Sequence, residues 1–135
     1  MPASKDLDFL LANTAPRIAP GEYVFVAIDE RTLHELADSA ILVFREKEAV
    51  TVILRKEVAD AKSLLYENAW CLITLSVHSS LSAIGFLAAV TRELAKAGIS
   101  VNVVSAVYHD HLFVPHDRVD EAMIVLSNLS HSRRK

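Results

Sequence analysis

The chemistry-bearing residues of this chain gather in two places. The first is His78-Ser79-Ser80-Leu81-Ser82-Ala83-Ile84-Gly85-Phe86, where an apolar run ending at Val77 gives way to a second one. Read as a strand passing into a helix, this stretch leaves the leading amides of the helix without intrahelical acceptors and partially positive, which suits a small carboxylate. Ser79, Ser80 and Ser82 add hydroxyls, His78 adds a titratable ring, and Gly85 removes a side chain where a ligand or a facing backbone comes close. In the plainer reading one serine caps the helix and Gly85 permits tight helix–sheet packing; capping explains one serine more easily than three beside a histidine.

The second place is His109-Asp110-His111, read as a tight turn between two strands. Two histidines one residue apart in a strand point the same way, which can suit a metal, and His78 and His116 are conceivable additional ligands. No spacing fixes either beside the turn, and Cys71 lies inside an apolar strand, so a hairpin tip with Asp110 in a turn-favouring position is preferred. Ser105 interrupts an otherwise apolar strand, either as a sheet-edge residue or as a group facing a pocket. There is no glycine-rich phosphate loop, no nucleophile elbow and no spacing that aims a base at a nucleophile. The expectation is therefore a non-enzyme that needs no cofactor.

The elements that must position these residues follow from periodicity and punctuation. Leu7 to Leu11 reads as an opening strand, with Pro16, Pro20 and Gly21 marking a connector. Tyr23 to Ile28 is a strand so uniformly apolar that both faces are expected to be covered, and Asp29 caps a short helix bearing Leu33, Leu36 and Ala37. Strands Ala40 to Phe44 and Ala49 to Leu54 flank the charged turn Arg45 to Glu48, before a helix with Val58, Ala61 and Leu65 inward. Trp70 to Val77 opens a second round. A helix from Ala83 to Ala97 has Ile84, Leu87, Ala88, Thr91, Leu94 and Ala95 along one stripe, and Gly98 ends it. Val101 to Tyr108 and Leu112 to Val114 then form a hairpin, and Asp117 caps a last helix bearing Val119, Ala122, Met123 and Leu126.

Val58, Ala61 and Leu65 share the mutual spacing of Val119, Ala122 and Leu126. A duplicated β-α-β-β-α order predicts an α+β fold of two ferredoxin-like units (βαββαβ), with antiparallel sheets and helices on one face. The units are expected over residues 1–66, with the opening strand, and 67–135, and as small modules they are expected to share a surface.

Three stretches resemble the ACT-domain proteins: Leu72 to Ser80, Ala95 to Asn102, and Tyr108 to Pro115. The chain is similar to small bacterial tandem-ACT proteins, and more distantly to cytosolic arginine sensors and the regulatory ends of aspartate kinases. In the first half the likeness rests on element order and on Pro20 to Phe25. The resemblance implies an amino acid or related small carboxylate bound at the strand-to-helix loop by His78, Ser79, Ser80, Ala83, Ile84 and Gly85, with Ser105 lining the pocket. It also implies that Asp110, at an acidic turn position, faces an ammonium group, and that ACT-like sheets pair into a homodimer.

Composition narrows the field. The 135 residues are 52% hydrophobic, enough for a buried core, and the net charge of −3 supplies no overall basic field for nucleic acid. Arg133, Arg134 and Lys135 read as a solvated end. One cysteine, Cys71, forms no internal disulfide and fits a reducing cytosol as a buried thiol. The start, Met1-Pro2-Ala3-Ser4-Lys5-Asp6, is not signal-like, and Ala83 to Val90 is far short of the roughly 20 apolar residues of a membrane span. The expectation is a cytoplasmic regulatory module with a small-molecule ligand and no membrane partner. The alternatives are a metal-binding protein or metal-dependent enzyme centred on His109 and His111, and a structural dimerisation module without ligand.

Overall fold

Asp6 sets the first element: its carboxylate accepts from the Phe9 amide at 3.2 Å and caps a helix, α1 (Leu7–Ala12), where a strand was expected. A short apolar run is ambiguous between the two, and burying adjacent Leu10 and Leu11 on one side needs the helical turn rather than strand alternation. The computed structural model describes residues 3–134; Met1 and Pro2 of the start, and Lys135 of the basic tip, lie outside the described residues. The remaining elements are β1 (Pro16–Ile18), β2 (Tyr23–Ile28), α2 (Glu30–Leu36), β3 (Leu42–Arg45), β4 (Val50–Arg55), α3 (Lys56–Ala61), β5 (Trp70–Leu75), α4 (Phe86–Lys96), β6 (Asn102–Ser105), β7 (Asp110–Pro115) and α5 (Val119–Arg133).

These elements form two compact α+β units. The inner unit is Gly21–Trp70; the outer one combines the chain up to Pro20 with the chain from Cys71 onward. In the inner unit β4 lies between β2 and β3, antiparallel to both, with Val26 opposite Val52 and Val43 opposite Val52. Val24, Val26 and Ile28 bury one face of β2 against Leu33 and Leu36 of α2 and Ala59 of α3. Asp29 caps α2 as expected, accepting from the Thr32 amide at 2.8 Å. The other face of β2 is not fully covered: Phe25 is half-buried and Ala27 exposed.

The outer sheet runs β1, β5, β7, β6, with α1, α4 and α5 around a core that includes Ile73, Leu75, Leu112, Val114, Leu94 and Leu126. Its edge is completed by β1, which pairs antiparallel with β5 through Arg17 opposite Thr74. A strand from the first twenty residues does close a sheet, but it is Pro16–Ile18 rather than Leu7 to Leu11.

Two helical faces differ from expectation. Helix α4 starts at Phe86 rather than Ala83 and buries Phe86, Val90 and Leu94, leaving Ile84 outside it and 87% exposed. Successive helical residues are about 100° apart, and the buried stripe of Phe86, Val90 and Leu94 lies about one such step round from the expected one. Helix α3 ends at Ala61; Ala59 is its buried residue, Ala61 is exposed, and Leu65 is 90% exposed. The matched spacing with α5 therefore does not extend to matched burial. Gly98 follows α4 with φ +72°, as a left-handed terminator should. Asp117 lies in a 3-10 turn, His116–Arg118, and does not cap α5. Arg118 instead bridges two helices. Its guanidinium donates to the Ala97 and Gly98 carbonyls at 3.1 and 3.3 Å and pairs with Glu121 at 2.8 Å. A cation thus sits at the negative end of α4, and the hydrogen-bonded ion pair holds Glu121 below the usual carboxylate range.

The inward face of α4 can be tested by urea denaturation. Leu94→Ala is expected to lose about 2–5 kcal/mol as a core truncation, whereas Ile84→Ala should stay within about 0.5 kcal/mol of the parent.

Candidate functional site

The loop between β5 and α4 is fixed by main-chain bonds before any ligand enters. Ser4 donates its amide to the His78 carbonyl at 3.0 Å and accepts from the Ser80 amide at 2.8 Å, an isolated parallel bridge centred on Ser79. The Ala83 amide reaches the Ser80 carbonyl at 3.0 Å, and the Ser82 amide reaches Ser80 Oγ at 3.1 Å. The amides of Ser82 and Ala83 are therefore spent inside the loop, and that of Ser80 on the N-terminal segment. The leading helical amides belong to Phe86, Leu87 and Ala88, because Ala89 is the first to bond back, to the Gly85 carbonyl. Gly85 is the N-cap with φ +89°, a left-handed conformation that other L residues adopt only with strain.

Opposite this loop stands Asp110, the first residue of β7. It is only 5% exposed, as is Ser79, whose hydroxyl donates to Asp110 Oδ2 at 2.7 Å. Ser105 faces Asp110 across the β6–β7 ladder. The expected two-histidine turn is displaced: the Ala106 amide closes it on the His109 carbonyl, so Asp110 and His111 already lie in the strand.

Between loop, strand and helix entry is a cleft of about 150 Å³. Six residues singled out by sequence line it: Ser79, Ser80, Ala83, Gly85, Ser105 and Asp110. Ile84 points to solvent. His78 lies outside the lining, with its ring 5.5 Å from that of Tyr108 and 6.5 Å from that of His109. Sequence reasoning missed Leu81, Phe86, Leu87 and Ala88, which complete the wall. Reading Gly85 as a left-handed cap would have moved the helix start and found the last three. A cavity of about this size holds a molecule as small as benzene, so the cleft has room for a small ligand only.

The His109 and His111 rings lie 6.3 Å apart. Among the described residues no group of three or more histidine, cysteine, aspartate or glutamate side chains is arranged to hold a metal ion. His111 Nδ1 shares a 2.9 Å hydrogen bond with Thr74 Oγ1. Burial, then the neighbouring His109, push the His111 pKa below its ordinary value, against the opposing pull of Asp110.

An ACT-domain family profile matches residues 2–70, and a second ACT-domain profile matches residues 70–128. The chain belongs to the ACT-domain family, with two domains in tandem, a family of regulatory modules that bind small molecules. A Vibrio cholerae protein of unknown function, described as a possible transport protein, is 36% identical with a TM-score of 0.82, covering 93% of this chain and 97% of its own. The ligand-free regulatory subunit of aspartate kinase from Thermus thermophilus is 10% identical with a TM-score of 0.66, covering 87% of this chain and 97% of its own. Aspartate kinase from Clostridium acetobutylicum is also 10% identical, with a TM-score of 0.67; the match covers 84% of this chain and 33% of the kinase. These last two likenesses show the shared fold. No curated protein matches the chain. Among the described residues no helix is long and apolar enough to cross a membrane.

The lowered His111 pKa couples folding to pH. The unfolded chain takes up this proton near pH 6.5, before the folded chain does. Stability from this group is intact above that pH and is lost as pH falls towards the folded value. Urea midpoints measured between pH 8 and 5 should fall less steeply for His111→Gln than for the parent.

Proposed function

We propose that this chain is a non-catalytic regulatory module that binds a small amino acid, or a related small carboxylate, in the cleft between Asp110 and the start of α4. The observation that carries this reading is the pairing of opposite charge preferences across about 150 Å³. Asp110 Oδ2 is held by Ser79, while Oδ1 accepts from nothing among the described residues and is available to an ammonium group. Across the cleft, the leading amides of Phe86, Leu87 and Ala88 and the α4 dipole favour a carboxylate. A zwitterion satisfies both ends. Ser80 and Ser105 offer hydroxyls beside it.

The tandem ACT-domain matches and the regulatory aspartate kinase relatives support the sensing role. The proposal extends to two ACT-like repeats over residues 1–66 and 67–135, to a homodimer, and to a cytoplasmic setting that suits the single Cys71. Regulation would follow if the ligand binds one assembly state better than another.

Titration calorimetry of the common amino acids against ligand-free protein tests the reading. A small amino acid should bind, Asp110→Asn should weaken it about tenfold or more, in line with losing a charge-assisted bond, and Ser79→Ala should weaken it less. Silence across the whole set, or unchanged affinity in Asp110→Asn, would remove the ligand site and leave a structural module.

A further inference from the structure

A second cleft, of about 180 Å³, lies within the inner unit and is lined by Phe25, Glu67, Asn68 and Trp70. It owes nothing to Asp110 or to α4. Its two rings meet edge to face, with centroids 5.8 Å apart and planes at 68°, so one ring presents its face while the other closes a corner. Both rings are half-buried, and Glu67 and Asn68 are exposed at the cleft. Among the described residues the Glu67 carboxylate has no hydrogen-bond or ion-pair partner, and neither the Asn68 amide nor the Trp70 indole N–H makes a hydrogen bond. Lys56 and Arg45 of this unit pair with Asp60 and Glu30.

One π-face, a second ring closing its corner and one carboxylate at the same small cleft form a recognisable chemistry. The ring quadrupole is negative over the face, tryptophan most strongly, and attracts a cation that can shed water. A carboxylate at the rim adds charge without requiring burial of an unpaired ion. The same unit already uses this attraction, for the Arg55 guanidinium stands 5.4 Å from the centre of the Tyr23 ring. The volume slightly exceeds a benzene-sized cavity, so it takes a compact, weakly hydrated cation rather than a peptide.

We propose that this cleft is a second ligand site, selective for a small organic ammonium ion, with Trp70 and Phe25 as the aromatic walls and Glu67 as the counter-charge. The site is independent of the amino-acid cleft and stands or falls without it.

Trp70 is the sole tryptophan, so the intact chain reports on this site by its own fluorescence. Choline chloride, titrated at constant chloride, should change Trp70 emission saturably. The neutral isostere 3,3-dimethyl-1-butanol, which has the same bulk without the charge, should bind at least about fivefold more weakly if ring attraction and charge both act. Glu67→Gln should weaken choline about threefold or more and leave the alcohol unaffected, and Phe25→Leu should weaken choline also. Because Phe25 takes part in packing, the Glu67→Gln variant, altered only at an exposed side chain, carries the decision. No saturable response to choline, equal binding of choline and the alcohol, or unchanged choline affinity in Glu67→Gln would each overturn the assignment. A calorimetric failure of all amino acids at the Asp110 cleft would not touch it.

Discussion

A carboxylate buried in a protein needs a donor, and the shape of the outer unit's cleft follows from how Asp110 finds one. At 5% exposure Asp110 would be costly without a partner, and Ser79, equally buried, supplies the hydroxyl. Hydrogen bonds to charged groups contribute about 1.5–3 kcal/mol, enough to tie the loop after β5 to the start of β7. Around that tie the β6–β7 ladder sets Ser105 opposite Asp110, the Ala83 amide closes the loop on the Ser80 carbonyl, and Gly85 turns the chain into α4 at a left-handed φ that directs its first amides to the same space. Ser4, bonded on both sides of Ser79, braces the loop from the N-terminal segment.

Much of the scaffold was legible because its local signals agreed. Tyr23 to Ile28 is β-branched and aromatic and forms the expected strand to the residue. Asp29 caps, Gly98 terminates, and the charged turn separates two strands that do pair, although Arg45, expected in the turn, ends β3 opposite Val50. The failures share a cause: each left the phase of an element to be set by apolar spacing alone. Leu7 to Leu11 fits either period, and only the Asp6 cap, three residues before the Phe9 amide it holds, decides for helix. Spacing alone starts the helix at Ala83 and puts Ile84 and Ala88 inward, whereas the left-handed Gly85 admits helix only from Phe86, and Phe86 and Val90 take the inward face. Leu65, matched by spacing to Leu126, lies past the end of a six-residue helix, which the spacing could not reveal.

The cleft was half visible for the same reason. Its polar residues stand out in a hydrophobic chain, and six of those named line it. Its apolar wall, Leu81 with Phe86, Leu87 and Ala88, resembles ordinary core until the helix start is known. Side-chain contacts between distant residues, such as the buried Thr14–Ser130 hydroxyl pair or Thr74 with His111, have no local signature at all.

The interleaving of the two units bears on how the chain is made. Arg17 must wait to pair with Thr74 until the whole of Gly21–Trp70 has been synthesised, whereas the β2–β4 pairing needs only nearby residues. Closing the longer loop costs more entropy, and distant pairings form more slowly. On the ribosome the inner unit is therefore first to mature, while α1 and β1 emerge early and stay unpaired. Their apolar residues, Leu10 and Leu11 among them, are the stretch that a nascent-chain chaperone would have to shield.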